Sequence, residues 1–252
     1  MTALAIALAT ALVAFLILPL LGLGVGLGDL GTSLSHPLVW PALRLSLVTT
    51  LCSLGLIVLC GTPLAWWLAS RSGRLASALE AVLQLPIVVP PAVAGIALLL
   101  AFGRHGFLAE LTPGGDGLAF STLAVVLAQV FVAAPFYVQA AVSAFRRVDR
   151  DILLAAQSLG ASPLRTFLRI ALPLSLPGLV AGAALSWARA LGEFGATLMF
   201  AGNLPGRSQT LPLAIYEALE RDLDAARALA ILLLIAALFL LIGVRALTPR
   251  PR

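Results

Sequence analysis

Residues Asp151–Pro173, DILLAAQSLGASPLRTFLRIALP, form a polar, arginine-bearing island between two long apolar segments. Ile152, Leu153, Ala155, Ala156 and Leu159 make an apolar stripe rich in small residues, and Gly160 supplies the permissive backbone that ends a first short helix. Ser162-Pro163 then reads as an N-cap followed by proline at the first helical position. In the second helix Leu164, Phe167, Leu168 and Ala171 fall on one side while Arg165 and Arg169 share the other. The Leu172-Pro173 step is expected to stop the hydrogen-bond ladder. Periodicity alone leaves two readings open, a connector resting on the membrane surface or an elbow that docks into a partner. The paired alanines and the glycine favour docking, because they let another backbone approach closely and lipid headgroups make no such demand.

The segments around the island are solvated by lipid. Hydrophobic residues make up 61% of the 252-residue chain and charged residues 11%, with a mean hydropathy of +1.06. At about 20 residues per crossing, six spans use roughly half the chain and leave no room for a sizeable soluble domain. The expected fold class is therefore an all-α membrane protein with six transmembrane helices. The net charge of +5 comes from 16 arginines and no lysine. These arginines sit in loops beside apolar runs, which points to membrane orientation rather than nucleic-acid binding. A Walker A phosphate loop needs a lysine, so this chain supplies no conventional ATPase site of its own. Cys52 and Cys60 lie about 12 Å apart along one helix, too far to pair, and are expected to be buried free thiols.

Outward from the island, the spans follow in order. Ala3 to Leu21 is a first apolar run, with no basic residue before it as a signal peptide would have. Gly22 to Pro41 is a loop carrying Asp29, His36 and the interfacial Trp40. Leu43 to Ala69 is a second span, closed by Trp66-Trp67 and by Arg71 and Arg74. The third, Leu83 to Phe102, carries LPIVVPPAVAG with Pro86, Pro90, Pro91 and Gly95. Irregular backbone at that depth is tolerated only against protein or a wet cavity, so this stretch either packs inside the bundle or is a proline-kinked structural helix. A loop with His105 and the Pro113-Gly114-Gly115 turn leads to the fourth span, Ala119 to Phe145, with Gln129 and Pro135. Arg146, Arg147 and Arg150 then open the island. His36 and His105 stand alone and read as loop residues, not ligands.

The fifth span, Leu174 to Met199, is the least lipid-like, with Pro177, Gly178, Gly182, Trp187, Arg189, Gly192, Glu193 and Gly195. Arg189 and Glu193 are four apart and can pair. They are either a structural ion pair near the outer interface or side chains lining a solute route. In the outer segment after it, Ile215, Leu219 and Leu223 are expected to form the apolar face of a short helix flanked by Glu217, Glu220, Asp222 and Asp224. The sixth span, Ala225 to Ala246, ends with Arg245, Arg250 and Arg252. Putting Arg71, Arg74, Arg146, Arg147, Arg150, Arg165, Arg169, Arg245, Arg250 and Arg252 on one side leaves few arginines on the other, which places both termini and the island in the cytoplasm.

The island resembles the EAA loop of ABC-importer permeases, the segment that docks into the ATPase subunit. The likeness is carried by Ala155-Ala156, by Gly160 four positions on, and by Ile170-x-Leu172-Pro173. Ala161, Ser162 and Pro163 lie between these elements, and Leu154 stands where that motif carries glutamate. Together with LPIVVPP and the run RALGEFGATLMFAGNLPGRSQTLPLAIY from Arg189 to Tyr216, it is similar to the permease subunits of bacterial oxyanion importers, molybdate permeases foremost. Their sulfate and thiosulfate relatives share Arg189 to Gly195, so the choice of molybdate rests on Ala196 to Arg207 and Gln209 to Tyr216.

The likeness runs from about Ala42 to Gly243 and implies a type I ABC-importer permease fold. A first helix and outer loop at 1–41 precede a permease domain at 42–243, and a cytoplasmic tail follows at 244–252. It implies a transport subunit and not an enzyme, working in the bacterial inner membrane as a homodimer with two ATPase subunits and a periplasmic oxyanion-binding protein. ATP-Mg would be held by the ATPase partner, with no cofactor on this chain. Leu154, Ala155, Ala156, Gly160, Ala161, Ser162, Pro163, Ile170, Leu172 and Pro173 would couple to the ATPase, and Pro90, Pro91, Arg189, Glu193 and Thr197 would line or gate the route. Tungstate, sulfate and thiosulfate remain alternative cargoes. The rival from another class is an ion-coupled secondary transporter, for which Glu193 is the one suitable buried acid and the island has no purpose.

Overall fold

The computed structural model describes residues 2–24, 37–111 and 117–247, and among these the ordered elements are helices, with no strand. Asp29, His36, the Pro113-Gly114-Gly115 turn, Arg250 and Arg252 lie outside the described residues. In chain order the helices are α1 (Thr2–Gly22), α2 (Val39–Ser70), α3 (Arg74–Val88), α4 (Pro91–Phe102), α5 (Thr122–Arg146) and α6 (Arg150–Ser158). They continue with α7 (Pro163–Leu191), α8 (Gly195–Ala201), α9 (Leu211–Leu219) and α10 (Leu223–Leu247). Helices α1, α2, α5 and α7 are each long and apolar enough to cross a bilayer, and the bent pair α3–α4 makes a fifth span if it crosses as one. The 25 residues of α10, at 1.5 Å each, supply the length for a sixth.

Helices α2, α5 and α7 form the core. Lipid gives helices no hydrophobic reason to associate, so contact must come from close backbone approach and interhelical hydrogen bonds. Both are present. On α7, Gly178 and Gly182 stand four apart and face Ala144 and Ala140 of α5. A Cβ built on either glycine would lie 2.6 Å from the facing alanine Cβ, so only glycine fits there. Ser186 Oγ donates to the Ala133 carbonyl at 2.8 Å. Trp187 Nε1 donates to Thr50 Oγ1 at 2.9 Å. Gln129 Nε2 donates to Thr49 Oγ1 at 3.2 Å, and Ser53 Oγ donates to Gln129 Oε1 at 2.9 Å. At one end of the core, Trp66 of α2, Phe145 of α5 and Phe167 of α7 stack with centroids 5.3 to 6.0 Å apart.

Several expectations are corrected, but the third span has the irregular backbone that its prolines suggested: α3 and α4 meet at 112°, because the Pro90-Pro91 step removes two donors from the ladder. Within it Ala94, Gly95 and Leu98 are buried, while α3 buries only Ala76. The fifth span likewise breaks at Gly192, with α8 starting at Gly195. Pro173, in contrast, does not stop its helix. A π turn over Phe167–Ala171, closed by Leu172 N–H to the Phe167 carbonyl, widens the helix ahead of the ring, and α7 runs on. Cys52 and Cys60 are exposed on α2 rather than buried, on a face shared with Leu51, Leu56 and Leu59 that suits lipid. On α9 Leu211, Leu213, Ala214 and Ala218 are buried, and Ile215 is partly buried against them as expected. Leu219 and Leu223 are exposed instead, since α9 packs on α10 and on α2, where Ser46 Oγ accepts from Leu211 N–H at 2.7 Å.

Candidate functional site

The island folds as a helix, a bend and a second helix. Asp149 Oδ1 accepts from Asp151 N–H at 2.9 Å and starts α6. The helix ends in a Schellman motif: Ala161 N–H donates to the Ala156 carbonyl at 3.0 Å and Gly160 N–H to the Gln157 carbonyl at 2.9 Å. That geometry puts Gly160 at φ +85°, with open space where a side chain would stand. Ser162 Oγ then accepts from Arg165 N–H at 3.3 Å, with Pro163 in the first turn of α7.

The faces of the island differ from the expected stripe. Leu153 and Ala156 are half-buried against the body, and Thr166 and Ala171 are the buried positions of the second helix, with Phe167 and Ile170 half-buried. Ile152, Leu154, Leu159, Leu164 and Leu168 are exposed, Leu159 at 89%. Leu172 is half-buried, and Ala155 and Pro173 are exposed. The island therefore exposes five large apolar side chains together with the charged Asp151, Arg165 and Arg169. Its base is rigid, because the Trp66–Phe145–Phe167 stack ties the helices entering and leaving the island to each other and to α2.

A second constellation lies where the two broken helices touch. A Cβ on Gly195 would fall 2.7 Å from Pro91 Cβ, and one on Gly95 would fall 2.6 Å from Met199 Cβ and 2.8 Å from the Ala196 carbonyl. The break before α4 therefore packs on the break before α8. Glu193 sits in the latter, 1% exposed. Its Oε2 is 2.7 Å from the Arg189 guanidinium, and its Oε1 accepts from Ala196 N–H at 2.8 Å. The carboxylate thus holds the first turn of α8 while pairing with an arginine that is 29% exposed. Thr197 is buried and its Oγ1 has no hydrogen-bond partner among the described residues, whereas Pro90 and Pro91 are exposed.

Three pairings could not be read from the linear pattern. Arg146 pairs with Glu80, 66 residues away in the chain. Glu217 accepts from Gln209 Nε2 at 2.6 Å and Asn203 Nδ2 at 3.2 Å, and so fastens the segment before α9 to that helix. The Gly178/Gly182 face of α7 was visible as residues, but its alanine partners on α5 were not.

A family model for the binding-protein-dependent transport system inner membrane component matches residues 61–252. The molybdenum transport system permease protein ModB of Mycobacterium tuberculosis is 49% identical over 209 residues, covering 82% of this chain and 79% of that protein. The protein of the same name from Escherichia coli K12 is 38% identical over 209 residues, covering 81% and 91%. The solved structure of a bacterial alginate ABC transporter, in complex with an alginate pentasaccharide-bound periplasmic protein, contains a chain that superposes with a TM-score of 0.78. That match covers 98% of this chain and 93% of that one at 17% identity, a likeness of fold alone. By its family model and its relatives, this chain belongs to the inner membrane components of binding-protein-dependent transport systems, the multi-pass permease subunits of ABC importers.

Proposed function

We propose that this chain carries molybdate across the inner membrane, as two copies assembled with two ATPase subunits that bind ATP-Mg and a periplasmic protein that delivers the oxyanion. The observation that carries this reading is the identity of 49% over four-fifths of the chain to a permease named for molybdenum transport. The exposed leucine elbow supports the ATPase partnership, because no described residue of the chain covers that surface.

Leu154, Ala155, Ala156 and Gly160 to Pro163, with Ile170, Leu172 and Pro173, form the coupling surface. ATP favours one state of the ATPase pair, and the docked elbow passes that preference to α5 and α7. These two helices move together, since their glycine–alanine contact leaves no slack. The paired breaks at Pro90-Pro91 and Glu193–Gly195 lie where the route opens and closes, with Arg189 and Thr197 lining it and Glu193 holding the turn. The termini and the elbow lie in the cytoplasm.

The test is uptake of labelled molybdate into proteoliposomes. Uptake is expected only with ATP, the ATPase subunit and the loaded binding protein all present. Tungstate is expected to compete, because it matches molybdate in charge and nearly in size. Accumulation driven by a proton gradient with this chain alone would overturn the reading.

A further inference from the structure

On α5, Gln139, Ser143 and Arg146 recur at steps of four and three residues and so share one face, and all three are exposed. Glu80 and Gln84 of α3 stand opposite, and these five polar residues share with four apolar ones, Leu68, Leu83, Val138 and Val142, the lining of a cavity of about 240 Å³. Arg146 pairs with Glu80 across it. Among the described residues, no hydrogen bond within the chain holds the two side-chain amides or the Ser143 hydroxyl.

Gln139 lies seven residues before the end of α5, about 10 Å into the span at the helical rise. A carboxamide facing hydrocarbon without a partner costs several kcal/mol, so this face does not meet lipid. The exposed face of α2 shows the contrast, being built of Leu51, Cys52, Leu56, Leu59 and Cys60. Exposed polar groups at membrane depth belong to a wet route or a protein interface.

The chemistry of the lining selects between these. Two carboxamides, a hydroxyl and a guanidinium are hydrogen-bond donors converging on one small space, the set a tetrahedral dianion needs to replace its water. The single acid, Glu80, cancels the one formal positive charge of Arg146, so an anion entering must compete with it for the guanidinium. This keeps binding weak enough for release. We propose that the cavity between α3 and α5, lined by Gln84, Gln139, Ser143 and the Glu80–Arg146 pair, is a low-affinity oxyanion station on the inner half of the transport route. This inference rests on the oxyanion-import reading above.

The experiment uses the complete transporter in proteoliposomes, in a Cys52→Ala, Cys60→Ala parent, with Gln139→Cys and Gln84→Cys made singly. An anionic, membrane-impermeant methanethiosulfonate is applied to the cytoplasmic face. Both cysteines are expected to react, and molybdate, tungstate or sulfate is expected to slow the reaction several-fold, while a monovalent sulfonate at equal ionic strength does not. Adding Arg146→Gln is expected to abolish that protection and Arg146→Lys to retain it. Absence of reaction at both positions means that protein or lipid covers the face, and reaction unaffected by every oxyanion means a wet but unselective surface. Either result overturns the proposal. Molybdate uptake by the parent is scored separately, so a silent cavity in an active transporter refutes the station and leaves the import reading standing.

Discussion

Glu193 is the residue on which the α7–α8 break depends. Its two carboxylate oxygens serve different masters, the Arg189 guanidinium and the Ala196 N–H. Replacing it by alanine leaves the Ala196 N–H without a partner in a buried setting and the partly exposed Arg189 without its ion pair, and Glu193→Ala is expected to destabilise the protein by about 3 kcal/mol. Glu193→Gln keeps an oxygen for Ala196 N–H and loses only the charge, so it is expected to cost roughly half as much. Equilibrium unfolding in mixed micelles measures both, and a loss below about 1 kcal/mol for the alanine variant would show that the break stands without the pair. The sequence showed an arginine and a glutamate at pairing distance on one helix. It did not show that the carboxylate also starts a second helix, because LGEFGATLMF has the periodicity of an uninterrupted span.

At the scale of elements, the island was the most legible part of the chain, and for a physical reason. Its determinants are local: Gly160 in a left-handed conformation, Ser162 accepting from Arg165 N–H, and Pro163 in the first turn are each dictated by residues within a few positions. The bend at Pro90-Pro91 could be read as a breach of the ladder. Its 112° angle could not, since that is set by where α4 packs on α8. The sequence put Leu164, Phe167, Leu168 and Ala171 on one side without saying which of them the fold would cover, because an exposed apolar residue has the same pattern as a buried one; Leu164 and Leu168 are the exposed ones. The π turn before Pro173 was missed because one extra residue in a turn leaves no compositional mark. The elbow yields a prediction that separates backbone strain from crowding. No atom lies within 4 Å of where a Cβ on Gly160 would stand, so any penalty comes from its φ of +85°. Gly160→Ala is expected to cost about 1 kcal/mol, Gly160→Asn less, and β-branched Gly160→Val more. Co-purification with the ATPase subunit is expected to fall in the same order. A ranking by side-chain size, with asparagine worse than alanine, would put the effect in the docking interface instead.

For the whole molecule, the structure turns the arginine count into a geometric argument. The Trp66–Phe145–Phe167 stack gathers the end of α2, the end of α5 and the start of α7 on one side. Arg71, Arg146, Arg147, Arg165 and Arg169 therefore share that side whatever the number of crossings. Arg71 is held there over the Trp67 ring, 5.9 Å from its centroid. At the opposite end of α5, Thr122 Oγ1 donates to the Arg207 carbonyl at 2.7 Å, which puts Arg207 on the far side. Basic residues beside spans collect in the cytoplasm, so the stacked end and the elbow next to it are expected to face inward. Single cysteines in the Cys52→Ala, Cys60→Ala background test this directly. Leu159→Cys is expected to react with an impermeant maleimide in inside-out vesicles and to be shielded when the ATPase subunit is bound. Arg207→Cys is expected to react only in right-side-out vesicles. The reverse pattern would place the leucine elbow in the periplasm, where no nucleotide-hydrolysing partner could reach it, and ATP would then have no mechanical path to the helices.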